Sequence, residues 1–199
     1  MAAPSEVSMQ NLTGYWTLSK PLSGAFDPVF AIQGIPWVLR KVISLATLSL
    51  KASHEVDESG AKALVLTQIV SVAIAGLSEE KEVRVLDGRE KFHSSALFGT
   101  SSAQSRMISL STATGHDGKP FDPLLIQDFV NEGESGEENL LYDLIIHQTN
   151  GWVMEQIWGF GMVNNERRLI RTLGIKKGDK VAYTRAIYDW MGEDGKDGK

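Results

Sequence analysis

The sequence predicts a mainly β protein: one antiparallel barrel of about ten strands, with a helix-turn-helix between the first strand and the second. Three observations carry this. Helical spacing of apolar residues is confined to one stretch near the N-terminus, and from residue 47 onward apolar and polar residues alternate. The alternating segments are separated by turn sequences such as LDG, TNG, VNNE and KKGD, whose Asn, Asp and Gly tolerate positive φ and so join neighbouring strands in antiparallel hairpins.

Taken in order, GYWTLSK (14–20) reads as the first strand. Asp27 and Pro28 then supply a helix N-cap and a proline at the first helical position, where its missing N–H costs nothing. Gly34 and Pro36 interrupt that helix, and a second follows with Leu39, Val42, Ile43 and Ala46 on one face. Nine further strands are expected in TLSLKASHEV, LVLTQIVSVAI, KEVRVLD, REKFHSSALF, QSRMISLS, LLYDLIIHQ, WVMEQIWGFGMV, RRLIRTLGI and VAYTRAIYDW. TGHDGKPFDP, the short helix LLIQDF and the acidic NEGESGEE form a surface excursion, and the Gly, Asp and Lys tail is expected to fray.

Composition removes several classes of function. A net charge of −5, with Lys and Arg scattered, leaves no basic stripe for phosphates, so nucleic acid is not an expected partner. The chain has no Cys, and its four His (His54, His93, His116 and His147) lack the i, i+4 spacing of a metal site, so neither a disulfide framework nor a metal is expected. No cofactor is expected either: WGFGMV lies inside a strand, the wrong setting for a phosphate loop. MAAPSEVSMQ has no basic and apolar leader pattern, and residues 29–50 are too broken by polar residues for a span, so a soluble, cytoplasmic protein without membrane insertion is expected. The oligomeric state stays open, a homodimer being one option.

A helix pair between strands one and two of a ten-stranded antiparallel barrel is the layout of the intracellular fatty-acid-binding barrels, where the pair lids the mouth. The segments NLTGYW, IQGIPWVLRKVISLATLSL, WVMEQIWGFGMVNNERRLIR and RAIYDW resemble the small lipocalin-like (calycin) proteins of filamentous fungi. The likeness runs over 11–190 and weakens over 114–138. It implies a single lipocalin-like barrel domain over 1–191, a disordered tail over 192–199, and an internal cavity for a small hydrophobic or aromatic molecule. Some barrels of this kind in fungal natural-product pathways are cofactor-free cyclases or isomerases. Two departures stand out. Gly88 follows LD where an aromatic residue is expected, and Arg185 and Tyr188 are three apart on the last strand, whereas a fatty-acid clamp has its Arg and Tyr two apart. Tyr183 and Arg185 keep that parity in reverse order.

Hairpin geometry locates a candidate site. Two-residue turns at Asn150-Gly151, Asn164-Asn165 and between the last two strands place Asp143, His147, Trp152, Met154, Gln156, Trp158, Arg171, Thr184 and Tyr188 on one face. Under these turns Asp143, Trp158 and Arg171 form a row. The other face carries Tyr142, Glu155, Ile157, Thr172, Tyr183 and Arg185 among aliphatic residues. The first face has the aromatic mass and converging polar groups of a cavity wall, whereas the second, if outward, needs covering. His54 and Gln68 lie on the apolar faces of their strands as rim contacts. Trp16 reads as a plug at the barrel bottom, with Arg168 or Arg171 stacked on such a Trp.

Two functions are compatible with this face. In a cofactor-free cyclase or isomerase of secondary metabolism, Asp143 or His147 moves a proton, Arg171, Gln156 and Tyr188 polarise a carbonyl or enolate, and Trp152 and Trp158 stack on the substrate. A carrier of a small hydrophobic ligand would use the same pocket. The convergence of Asp, Arg, Gln and Tyr is more polar equipment than storage needs and favours the enzyme.

Overall fold

The computed structural model of the protein describes residues 1–56, 58, 60–71, 79–95, 97–130 and 137–195, with backbone only at Glu79 and Glu80. The ends of the expected third strand and of the tail, most of the acidic stretch and part of the DESG turn lie outside these residues.

The elements are β1 (Gly14–Leu18), α1 (Asp27–Gln33), α2 (Trp37–Leu45), β2 (Leu48–Val56), β3 (Lys62–Val70), β4 (Glu79–Val85), β5 (Lys91–Ser95), β6 (Gly99–Ile108), α3 (Pro123–Ile126), β7 (Leu140–His147), β8 (Val153–Val163), β9 (Glu166–Lys177) and β10 (Lys180–Trp190). All ten strands belong to one curled sheet in the order β4-β3-β2-β1-β10-β9-β8-β7-β6-β5. Each described pairing is antiparallel, and β1 against β10 joins the two ends of the chain. The ladder ends at β4 and β5. Across this seam Gly88 N donates to Ser105 O at 2.9 Å, with Gly88 at φ 71°, a conformation an aromatic residue there would rarely adopt.

Turn chemistry explains the register. Asn164 (φ 52°) and Asn165 (φ 62°) form the expected two-residue turn and set Trp158 opposite Arg171. The β9–β10 loop also has two residues, with Lys177 opposite Lys180 and Arg171 opposite Ala186. The β7–β8 turn is longer than expected. Residues 148–151 form the loop, so Asp143 faces Gln156 and Trp158 faces Leu141. His147 causes this, because its Nδ1 accepts from Thr149 N (3.2 Å) and Asn150 N (2.8 Å) and folds the chain back two residues early. An even slip keeps every side chain on its expected face.

The outward aliphatic face is covered. Phe121 and Leu125 of the excursion pack with Leu140, Tyr142, Leu144 and Ile157, and Thr172 Oγ1 donates to Leu125 O at 2.7 Å. Gly159 and Gly161 allow this approach: a side-chain carbon at Gly161 would stand 2.2 Å from Asp128 O, and one at Gly159 2.2 Å from Leu140 Cδ2. The two glycines of WGFGMV thus serve packing.

The barrel floor holds Trp16, fully buried against Phe160 and Trp190. The arginine there differs from expectation. Arg167 lies over Phe160 at 3.7 Å, while Arg168 pairs with Glu166 and Asp189 and Arg171 lies on Trp158. Trp16 Nε1 donates instead to Leu12 O at 3.2 Å. Residues 1–12 close the floor, burying Ala3, Val7, Met9 and Leu12, and Arg167 donates to Pro4 O (2.7 Å) and Val7 O (2.8 Å).

At the opposite end α1 and α2 cover the mouth. Phe26 occupies the N-cap position of α1, so Asp27 is the first helical residue, and its carboxylate meets Arg40 Nε of α2 at 3.1 Å. A charge on α2 outcompetes the local cap. Gly34 ends α1 at φ 88°, as a left-handed C-cap does. Leu39, Val42 and Ile43 pack with Ala46 as their spacing predicts, yet no residue of α2 is fully buried. No helix among the described residues is long and apolar enough to cross a membrane.

Candidate functional site

Between floor and lid lies a cavity of about 690 Å³. Its wall is mostly apolar, from Val29 and Phe30 of α1 through Leu50 and Leu66 to Met154 and Leu173. The first face of the late strands is the inward one. Trp152, Met154, Gln156, Trp158, Arg171 and Tyr188 line the cavity, and Gln68 joins them from β3.

The polar groups converge at one pole. Arg171 Nε donates to Gln156 Oε1 at 2.8 Å, and the Arg171 guanidinium lies 4.5 Å from the Trp158 ring centre. Trp158 stacks parallel to Tyr188 at 6.1 Å and donates Nε1 to Asp143 Oδ2 at 3.0 Å. Asp143 is fully buried behind this wall and also accepts from Ser105 Oγ (2.6 Å) and Arg84. Arg84 Nη2 reaches Glu82 Oε2 at 2.5 Å, and Glu82 borders the cavity. Burial opposes the charge of both groups, but the pairing outweighs it. Arg84 and Arg171 hold the Glu82 carboxyl below its ordinary pKa, and Asp143 and Glu82 hold Arg84 above its own.

Among the described residues of the cavity wall, the shielded donors Gln156 Nε2, Trp152 Nε1 and Arg84 Nε and the acceptor Gln33 Oε1 have no hydrogen-bond partner. Buried polar groups are paired in nearly all native structures, and these atoms have almost no surface open to the cavity, so a ligand acceptor reaches the donors only with a small shift of the wall side chains.

Four expected site residues do not reach the cavity surface. Asp143 is sealed by its three donors. His147 caps the β7–β8 loop, and its Nε2 lies 2.7 Å from Phe98 O. His54 accepts from Leu12 N at 3.0 Å, which fastens the N-terminal segment to the floor. Thr184 is buried against Gly24, where the loop after β1 crosses β10 through Gly24 N to Arg185 O at 2.9 Å. The residues of the second face point outward: Tyr142 Oη donates to Glu155 (2.6 Å), Tyr183 Oη to Asp122 (2.9 Å), and Arg185 to Asp128 (2.9 Å). Burial and its bond to Asp122 push the Tyr183 phenol up to about 12.

Arg84 and Glu82 are the residues that sequence reasoning missed. Their signal was parity: they share a face of β4, and β4 pairs with β3 so that Leu64 meets Arg84 and Leu66 meets Glu82. Both leucines are core residues, so both charges point inward.

The architecture is that of the fatty-acid-binding proteins. A fatty-acid-binding protein of Echinococcus granulosus superposes on 92% of this chain and 100% of its own with a TM-score of 0.53, at 13% identity. The chain has a calycin fold. Two sequence relatives match along nearly the whole chain: pericyclase pydY of an Acremonium species, 24% identical over 96% of this chain and 98% of its own, and probable pericyclase scpY of Mollisia scopiformis, 25% identical over 96% and 95%. No protein-family model matches the chain. The expected likeness to lipocalin-like (calycin) barrels, with proteins named as pericyclases among the relatives, is borne out along nearly the whole chain.

Proposed function

We propose that the calycin barrel is a cofactor-independent cyclase of secondary metabolism, closing a ring in a small hydrophobic polyketide- or terpenoid-type intermediate held in the cavity. A pericyclic ring closure moves no proton to or from the protein. It needs one folded conformer of a flexible chain, and it is accelerated when a hydrogen bond draws electrons from a conjugated carbonyl. The wall around Trp158, Met154 and Leu173 suits the first need. Gln156 Nε2, shielded, unpartnered and oriented by Arg171, suits the second, and it is the observation that carries this reading. The full-length likeness to two pericyclases supports it.

In this proposal Gln156 and Arg171 polarise the carbonyl, Trp152 and Tyr188 bound its neighbourhood, and Trp158 stacks on the conjugated chain. Asp143 takes a positioning role: it holds the Trp158 indole and neutralises Arg84. The second reading, a carrier of a hydrophobic ligand, is favoured by the fatty-acid-binding fold and the apolar wall.

The two readings separate by experiment. Purified protein is incubated with linear polyenes carrying a conjugated carbonyl, and ring closure is followed by chromatography and mass spectrometry against the uncatalysed rate. The enzyme reading expects acceleration and one dominant stereoisomer, with Gln156→Leu slowing closure about 100-fold, the scale of losing one oriented donor. Saturable binding of these polyenes with no change in cyclisation rate would establish the carrier.

A further inference from the structure

The polar pole carries two guanidinium groups, Arg84 and Arg171, and two carboxylates, Glu82 and Asp143. Arg84 touches both carboxylates, Asp143 and Glu82, so this trio carries one net negative charge, and Arg171, held by Gln156 Oε1 and lying on Trp158, supplies the balancing positive charge beside it. The pole is therefore neutral as a unit. His93 also faces Glu82. The other charges on the cavity wall belong to the rim: Arg40 pairs with Asp27, Lys81 reaches Glu55 at 3.9 Å and is 58% exposed, Lys20 Nζ donates to Ser44 O at 2.9 Å, and Lys91 is exposed.

Two shielded N–H groups stand ready at the pole. Among the described residues, Gln156 Nε2 and Arg84 Nε have no partner there, and Trp152 Nε1 is a further unpaired donor toward the lid, beside Val29 and His147. The last strand offers no carboxylate clamp, because Tyr183 and Arg185 point outward to Asp122 and Asp128.

We propose that this pole selects a neutral hydrogen-bond acceptor, a carbonyl, ester or amide oxygen on an apolar body, and rejects a carboxylate, because Glu82 and Asp143 already match both guanidinium charges. The proposal rests on the reading of the cavity as the ligand site and adds which head group it accepts. A neutral oxygen accepts from the waiting donors at no electrostatic cost. A carboxylate would be desolvated beside Glu82 with no unmatched cation to compensate it. Glu82 is thus a specificity residue that turns the barrel away from fatty acids.

The test uses cis-parinaric acid and its methyl ester, fluorescent tetraenes that differ in the charge of the head group, titrated at pH 8 against the full-length protein and the variants Glu82→Gln and Glu82→Ala. The wild type is expected to bind the ester at least about 10-fold more tightly than the acid. Each variant, which leaves one guanidinium charge unmatched, is expected to shift that ratio toward the acid by about 10-fold. Circular dichroism confirms that the variants are folded, and agreement between the two guards against a local effect of either. If the wild type binds acid and ester equally, or if both folded variants leave the ratio unchanged, the inference fails and the cavity reading stands: the head group then sits at the lysine rim. If neither compound binds, the cavity reading fails with it.

Discussion

The two ends of the barrel are built on opposite principles. At the floor, Trp16, Leu12 and Leu169 are completely buried, and residues 1–12 are fastened by Arg167 and His54. At the lid, α2 has no fully buried residue, and Trp37, Val38 and Leu45 are 61%, 67% and 79% exposed. α1 is anchored by buried Val29 against Trp152, Met154, Leu173 and Ile175 and by Asn150 Nδ2 to Gln33 O (2.9 Å), whereas α2 is held by the Asp27–Arg40 pair and by Lys20 Nζ to Ser44 O (2.9 Å). Dense packing at one end supplies stability, and sparse packing at the other leaves an element that can open without unfolding the sheet.

Truncation at the floor should break this comparison hardest. Trp16→Ala is expected to cost about 3 to 5 kcal/mol in denaturant unfolding, as large aromatic truncations in cores do. Loss of ligand binding at unchanged stability would instead make Trp16 a pocket residue.

The seam between the ends comes next. Arg84 on the edge strand β4 reaches Asp143 on β7 across the interior, where the ladder of hydrogen bonds stops. Asp143→Asn leaves buried Arg84 short of one counter-charge and is expected to cost about 3 kcal/mol, the low end for breaking such a pair. The double variant Arg84→Met/Asp143→Leu should recover most of that loss. If the double variant is as unstable as the sum of the singles, the pair is not coupled as described.

Gly34→Ala addresses the lid. A residue with a Cβ at φ 88° costs about 1 kcal/mol or more, and if the lid opens apart from the sheet that strain falls on the lid alone. Amide exchange over 27–46 should rise while the unfolding midpoint stays nearly constant. A fall in global stability equal to the strain would show the lid to be part of the cooperative core.

The smallest expected effect is a pH dependence at the floor. Burial, with a lesser push from Lys62, lowers the His54 pKa, and its Nε2 accepts from Leu12 N. A group depressed on folding binds fewer protons in the native state, so its contribution is present above the unfolded value of about 6.5 and is lost as pH falls through the folded value. Stability should decline as pH falls from about 6.5 to the lower folded value and level off beneath it, and His54→Gln should flatten that part of the profile.

Much of this contrast was legible in the sequence, for physical reasons. Period-2 alternation and Asn- and Gly-rich turns determine strands and faces locally, so Gln156, Trp158, Arg171 and Tyr188 could be placed on one face from spacing, and their aromatic mass and converging polar groups marked that face as the inward one. What escaped depends on distant contacts. Residues 1–12 have no periodicity and are ordered by Arg167, far along the chain. Asp143 resembled a free base because its partner Arg84 sits on a strand that is its neighbour only across the cavity. His147 looked like a site residue, yet its imidazole caps a turn that is two residues longer than the sequence suggests.

The measurement that tests the account most directly is amide exchange with and without saturating methyl cis-parinarate. Ligand held between a tight floor and an opening lid should slow exchange over 27–46 and at Gln156 and Trp158, and leave 12–18 unchanged. Equal exchange over 27–46 in both states, or protection confined to the floor, would contradict it.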